Sequence, residues 1–127
     1  MKRILVIDDD PIMRETIRDI LEFENFSVCE AKDGRDGMSC LQKEQFDMIV
    51  TDVLMPEKDG IEVIIEAKKK QPQIQIVAVS GGGYISAENY LKMASDLGAS
   101  AIVVKPFDID MFIDKVNSLL YGKMLEL

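Results

Sequence analysis

The spacing of its short apolar runs constrains this chain more than any other feature. Arg3-Ile4-Leu5-Val6-Ile7, Phe46 to Thr51, Ile74 to Val79 and Ala101-Ile102-Val103-Val104 are short, nearly continuous and rich in branched residues. Runs of that kind read as parallel strands buried on both faces. Ser27-Val28-Cys29-Glu30-Ala31 has a more mixed pattern and reads as a strand nearer an edge. Helical periodicity fills the gaps. Asp10 followed by Pro11 is a helix start, with Asp as N-cap and Pro at the first position. Ile12, Met13, Ile17, Ile20 and Leu21 follow at helical spacing, and Asn25 is a left-handed stop. Asp33-Gly34 opens a second helix to about Glu44, with Met38 and Leu41 facing in. Gly60 to Lys70 is a third, with Ile61, Ile64, Ile65 and Lys68 on one face and Lys68-Lys69-Lys70 suiting the dipole. Ser86 caps a fourth through Leu97, closed by Gly98. Asp108 or Asp110 begins a last one, with Phe112, Val116, Leu119 and Leu120 apolar and a stop near Gly122.

Five strands alternating with five helices are βα repeats. Right-handed crossovers make such repeats a parallel sheet with helices on both faces. The expected fold is therefore α/β: a five-stranded parallel sheet in the order 2-1-3-4-5, doubly wound and flavodoxin-like, flanked by five helices. A length of 127 residues gives one domain with room for a core.

Composition removes several function classes. There is no histidine, so a catalytic His, a His-ligated zinc and a phosphohistidine carrier are excluded within this chain. A net charge of −8 argues against nucleic-acid binding, which needs a basic face. No apolar run approaches the ~20 residues that span a bilayer. Met1-Lys2-Arg3 is basic, but the apolar run behind it stops at Asp8, which is not signal-peptide chemistry. The expectation is a cytoplasmic protein with no membrane partner. Cys29 and Cys40 have no CxxC spacing and fall in apolar segments, so buried structural thiols are expected.

Four strand ends carry polar residues that the strands themselves do not need: Asp8 and Asp9, then Asp52, Ser80 and Lys105. In a parallel sheet all carboxyl ends lie on one edge, where open α/β sheets bind their ligands. Each residue alone has an ordinary explanation as a strand end, a turn former or a surface lysine; Asp10 is accounted for by capping. Together they make a site. Clustered carboxylates repel by ~4 kcal/mol per pair at about 4 Å and an effective dielectric of 20. A hard divalent cation offsets that, and Mg²⁺ takes oxygen ligands. Lys105 supplies a second positive charge, Ser80 a hydroxyl donor, and Gly81-Gly82 an open mouth with backbone N–H groups. That set describes a carboxylate nucleophile accepting a phosphoryl group beside a metal.

The chain resembles the receiver domains of two-component response regulators, from Ile4 to Leu120. D-x-x-M-P-x-x-D-G is present in full from Asp52 to Gly60, and K-P-F is Lys105-Pro106-Phe107. The resemblance implies that Asp52 is the phosphoacceptor. It implies Mg²⁺ (with Mn²⁺ as a substitute) on Asp9, Asp52 and the backbone carbonyl of Leu54, with Asp8 reached through water. Ser80 and Lys105 then move toward the phosphate. The donor is a histidine kinase or a histidine phosphotransfer protein of a two-component or phosphorelay system. An output partner is expected at the face of the fourth helix, fifth strand and last helix. Such a module catalyses its own phosphorylation and dephosphorylation but turns over no external substrate. The resemblance also implies a cis Lys105-Pro106 bond.

One position departs from the pattern. Ile102 stands where the family often carries an aromatic switch residue, three before the lysine; Tyr84 and Tyr90 are the candidates to replace it. A rival assignment is a haloacid-dehalogenase-like Mg²⁺-dependent phosphatase, because Asp8-x-Asp10 mimics its DxD. Pro11-Ile12 does not continue that motif, and there is no cap domain. A nucleotide site on Gly81-Gly82-Gly83 is weaker still, since no phosphate-loop pattern follows a strand. The expected boundaries are a receiver domain over 1–122 and a tail or start of a linker over 123–127, belonging either to a stand-alone receiver or to part of a longer protein.

Overall fold

A computed structural model describes residues 1–53, 60–81, 92 and 95–122, with backbone alone at 80 and 81. The strands are β1 (Arg3–Ile7), β2 (Ser27–Ala31), β3 (Met48–Asp52), β4 (Gln75–Gly81) and β5 (Ala101–Lys105). They form one parallel sheet in the order β2-β1-β3-β4-β5, as expected. The helices are α1 (Pro11–Phe23), α2 (Gly34–Lys43), α3 (Gly60–Lys70) and a C-terminal helix (Ile109–Tyr121). Of the helix expected over 86–97, Lys92 and residues 95–97 are helical, and the rest lies outside the described residues.

The continuous apolar runs follow from burial on both sides. Successive side chains of a strand point to opposite faces. Leu5, Ile7, Ile49, Ile76 and Ala78 pack with Met38 and Leu41 of α2 and Val63, Ile64 and Ala67 of α3. Ile4, Val6, Val50, Val77 and Val103 pack on the other face with Ile17 and Leu21 of α1 and Phe112 and Val116 of the C-terminal helix. Each fully buried Ile, Leu or Val contributes roughly 1.5–3 kcal/mol. The edge strands are less covered: only Ala31 of β2 and Val103 of β5 are buried.

Helix ends obey the local chemistry. Asp10 caps α1, Asp33 caps α2 and Asp108, not Asp110, caps the C-terminal helix. Asn25 has φ 69°, the left-handed stop after α1. The Lys105–Pro106 peptide is cis.

Several details differ from the sequence expectation. β3 begins at Met48 rather than Phe46, and β3, β4 and β5 run on through Asp52, Gly81 and Lys105. Asp52, Ser80 and Lys105 are therefore strand residues, while Asp8 and Asp9 follow the end of β1. Ile12 is 76% exposed, off the buried stripe of α1. In α3 the buried stripe is Val63, Ile64 and Ala67, while Ile61, Ile65 and Lys68 flank it. Lys68 instead donates its Nζ to the carbonyl of Ile74 at 2.7 Å. Cys29 and Cys40 are half-buried rather than buried, because edge strand β2 and the flank of α2 cover them from one side. Burial raises the pKa of the Cys40 thiol.

Candidate functional site

β1 and β3 are neighbours, with Ile7 opposite Thr51. One step further along each, Asp8 and Asp52 come side by side. Both are buried, at 1% and 7% exposure, while Asp9 is exposed. One carboxylate oxygen from each of Asp8, Asp9 and Asp52 lies within 4.8 Å of the others. At that separation each ionised pair repels by about 3–4 kcal/mol at an effective dielectric of 20.

Lys105 ends β5, two strands from β3, and its side chain returns across that distance. Its Nζ is 3.3 Å from Asp8 Oδ2 and 3.4 Å from Asp52 Oδ2. One ammonium among three carboxylates leaves the cluster with excess negative charge. Burial is the largest influence on Asp8 and raises its pKa above 3.8, with Asp52 adding to it. The Asp10 amide and Lys105 oppose the rise without cancelling it. Burial alone would lower the pKa of Lys105, but Asp52 and Asp8 together outweigh it, so the ammonium is held charged.

The acidic run divides its labour. Asp10 accepts from the amides of Ile12 at 3.0 Å and Met13 at 3.4 Å, so its carboxylate belongs to α1. Its own amide donates to Asp8 Oδ1 at 2.9 Å and fixes the buried carboxylate. The Asp8-x-Asp10 pair is thus one site acid and one cap, not two site acids. The Asp8 backbone is pinned at both ends: its amide donates to Ala31 O at 3.2 Å, and its carbonyl accepts from Arg14 Nη1 at 2.8 Å. Around Asp52, Thr51 Oγ1 donates to the Asp52 carbonyl at 3.0 Å, and the Gly60 amide donates to the Val53 carbonyl at 3.1 Å.

The structure brings Asp8, Asp9, Asp52 and Lys105 together. Ser80 lies in β4 opposite Val104, on the same edge, with its hydroxyl outside the described residues. Leu54, Tyr84, Tyr90 and Gly82-Gly83 also lie outside them. Ile102 is half-buried, opposite Ala78, and packs against the layer under α2 and α3. Two roles were missed. Gly60 begins α3 as expected, but its close approach to the Asp52 backbone carries no mark in the sequence. Arg14 was not singled out. Its signal was there: a cation near the start of a helix opposes the dipole, and α1 has no acid in its first turn to balance it.

Three carboxylate oxygens around one point, with negative charge to spare, are the donor chemistry of a hard divalent cation. Among the described residues this is the one such cluster, and no described helix is long and apolar enough to cross a membrane.

The sequence profile of the response regulator receiver domain matches residues 4–117. Chemotaxis protein CheY of Bacillus subtilis is 34% identical over 119 residues, 93% of this chain and 97% of that protein. Response regulator MprA of Mycolicibacterium vanbaalenii is 32% identical over 118 residues, 93% of this chain but 50% of that protein. The chain thus spans about half the length of some of its curated relatives and nearly all of another. A receiver domain from Clostridium thermocellum superposes over 100% of both chains with a TM-score of 0.87 at 25% identity. Response regulator TrrA of Thermotoga maritima, solved in complex with Mg²⁺-BeF, matches with a TM-score of 0.83 at 32% identity over 94% of this chain and 100% of that one. None of these relatives supports the haloacid-dehalogenase assignment.

Proposed function

The chain belongs to the response regulator receiver domain family, and we propose that its Asp52 accepts a phosphoryl group from a phosphohistidine on a partner protein. Receiver domains are signalling modules rather than metabolic enzymes, and histidine kinases or phosphotransfer proteins phosphorylate them. The observation that carries the assignment is the meeting of Asp8, Asp9 and Asp52 within 4.8 Å, with Lys105 Nζ 3.4 Å from Asp52.

In this reading an oxygen of the Asp52 carboxylate attacks phosphorus, the O–P bond forms as the partner's N–P bond breaks, and the imidazole leaves and takes up a proton. Positioning and charge do most of the work in such transfers. Lys105 exchanges its hold on Asp52 for one on the incoming phosphoryl oxygens, and Ser80 donates its hydroxyl to them. Asp8, Asp9, Asp52 and the Leu54 carbonyl would hold Mg²⁺, or Mn²⁺ in its place. Such an ion, when bound, screens the carboxylates from the phosphoryl oxygens. The acyl phosphate is later hydrolysed, so the module's own catalysis is confined to its own phosphorylation and dephosphorylation.

The output surface in this reading is β5 with the C-terminal helix and the helix before it. A cleft of about 310 Å³ there is lined in part by Ile102, Val104, Phe107, Met111 and Lys115. Val104, Met111 and the nearby Ile109 are exposed apolar side chains. The receiver unit is residues 1–122, acting in the cytoplasm.

The test is intact mass after incubation with Mg²⁺ and a small phosphodonor. Wild type gains one phosphoryl group; Asp52→Asn and chelator-treated wild type gain none. Labelling that survives both changes would remove Asp52 and the metal from the mechanism.

A further inference from the structure

The acids of the site are tied to edge strand β2 through a chain of side chains that does not include Lys105. Glu30 of β2 takes Arg14 Nε on one carboxylate oxygen at 3.2 Å and Arg18 Nη1 on the other at 2.7 Å. Arg14 then places Nη1 2.8 Å from the Asp8 carbonyl. Its guanidinium is therefore clamped between a carboxylate on the sheet edge and a backbone oxygen at the mouth of the site. Arg14 and Glu30 are both about three-quarters covered, at 20% and 28% side-chain exposure, so the pair is shielded from bulk water.

We propose that Arg14 is a positioning residue for the metal acids: by fixing the Asp8–Asp9 peptide plane, it sets where both carboxylates point and so sets the affinity of the site for Mg²⁺. The inference rests on the assignment of Asp8 and Asp9 as metal acids made above. The Asp8 carbonyl and the Asp9 amide belong to one rigid planar unit. Holding the carbonyl holds the amide and therefore the Cα from which the exposed Asp9 side chain projects. The Asp8 side chain is otherwise fixed by the Asp10 amide and Lys105, and its amide by Ala31, so the carbonyl is the remaining restraint on that residue. Outer residues that orient ligands commonly change metal affinity by about 10- to 100-fold when removed.

Charge and position predict opposite signs here. Arg14 is a cation close to a cation site. If it acted by charge alone, Arg14→Ala would tighten Mg²⁺ binding, and Arg14→Lys would leave it unchanged. If it acts by position, both variants weaken binding, because the lysine keeps the charge but lacks the fork that spans Glu30 and the Asp8 carbonyl.

The experiment is titration of the whole chain with MgCl₂, without phosphodonor, followed by amide NMR shifts at Asp8–Asp10, alongside thermal melts. Wild type and Asp9→Asn are run first. If wild type shows no saturable binding, or Asp9→Asn does not weaken it, the assignment of the metal acids fails and takes this inference with it. Given binding in wild type, a loss of about tenfold in both Arg14 variants is the expected result. A loss below about threefold in either variant, or tighter binding in Arg14→Ala, overturns the inference while leaving the metal acids in place. Should Arg14→Ala fail to fold, Arg14→Lys alone decides by the same limits.

Discussion

Gly60 and Asp52 meet through their backbones: a Cβ built on Gly60 would overlap the carbonyl oxygen of Asp52 and come within 2.7 Å of Val53 Cα. The first turn of α3 is thereby seated directly on the strand end that carries the central acid of the site. Backbone atoms cannot turn aside as a side chain can. Gly60→Ala is therefore expected to cost about 2–3 kcal/mol. Gly37→Ala offers the comparison, since its Cβ would meet the far end of the Ile7 side chain, which is free to change rotamer, at about 1 kcal/mol. Urea denaturation of the two variants checks the order; a Gly60→Ala protein as stable as wild type would mean that α3 lifts off the strand at no cost.

Asp8 gives a pH prediction. Its pKa is raised in the fold, first by burial and then by Asp52, against the Asp10 amide and Lys105. A raised carboxyl pKa means the folded state prefers the protonated form. Its contribution to stability is full below 3.8, the value of an unperturbed Asp, and is lost as pH rises through the folded value. At neutral pH the ionised Asp8 costs stability. Asp8→Asn keeps an oxygen to accept from the Asp10 amide and removes the charge. In metal-free buffer at pH 7 it should be more stable than wild type by about 1 kcal/mol, roughly 4 °C in melting temperature. The gap should close as the pH falls toward 4, and a gap that widens instead would contradict the raised pKa.

Asp10 separates two roles that its neighbours in sequence make easy to confuse. As the N-cap of α1 it accepts from the amides of Ile12 and Met13, so its carboxylate serves the helix end. Asp10→Ala should lower stability by about 1 kcal/mol. It should leave the extent of Asp52 phosphorylation by a small phosphodonor unchanged. An unstable and unphosphorylated variant, at a temperature where it is fully folded, would give Asp10 a chemical role.

The architecture was legible because burial on both faces writes itself as unbroken apolar runs, and parallel pairing then brings every strand end to one edge. Asp52, Asp8 and Lys105 stood out as charges that no buried strand needs. The rotation of the helices was less legible. Periodicity gives the pitch of a stripe but not its centre, so Ile12 was placed inward and Val63 and Ala67 were overlooked in favour of Ile61, Ile65 and Lys68. Lys68 could be mistaken for part of a buried face because its stem is apolar while its ammonium ends on the Ile74 carbonyl. Arg14 was half legible: its charge against the helix dipole marks it, but its partners, Glu30 and a backbone oxygen, are assembled by the fold.

The lysine of the site lies 97 residues from Asp8 and 53 from Asp52, on the last strand of the sheet. During synthesis from the N-terminus, all three acids leave the ribosome well before the cation that relieves them. A nascent or truncated chain ending before β5 has the carboxylates without their ammonium, and folding that fragment would confine like charges without compensation. The arrival of the last strand is thus the event that makes the mouth of the site electrostatically tolerable. Removing β5 would therefore raise the repulsion among Asp8, Asp9 and Asp52 as well as shorten the sheet.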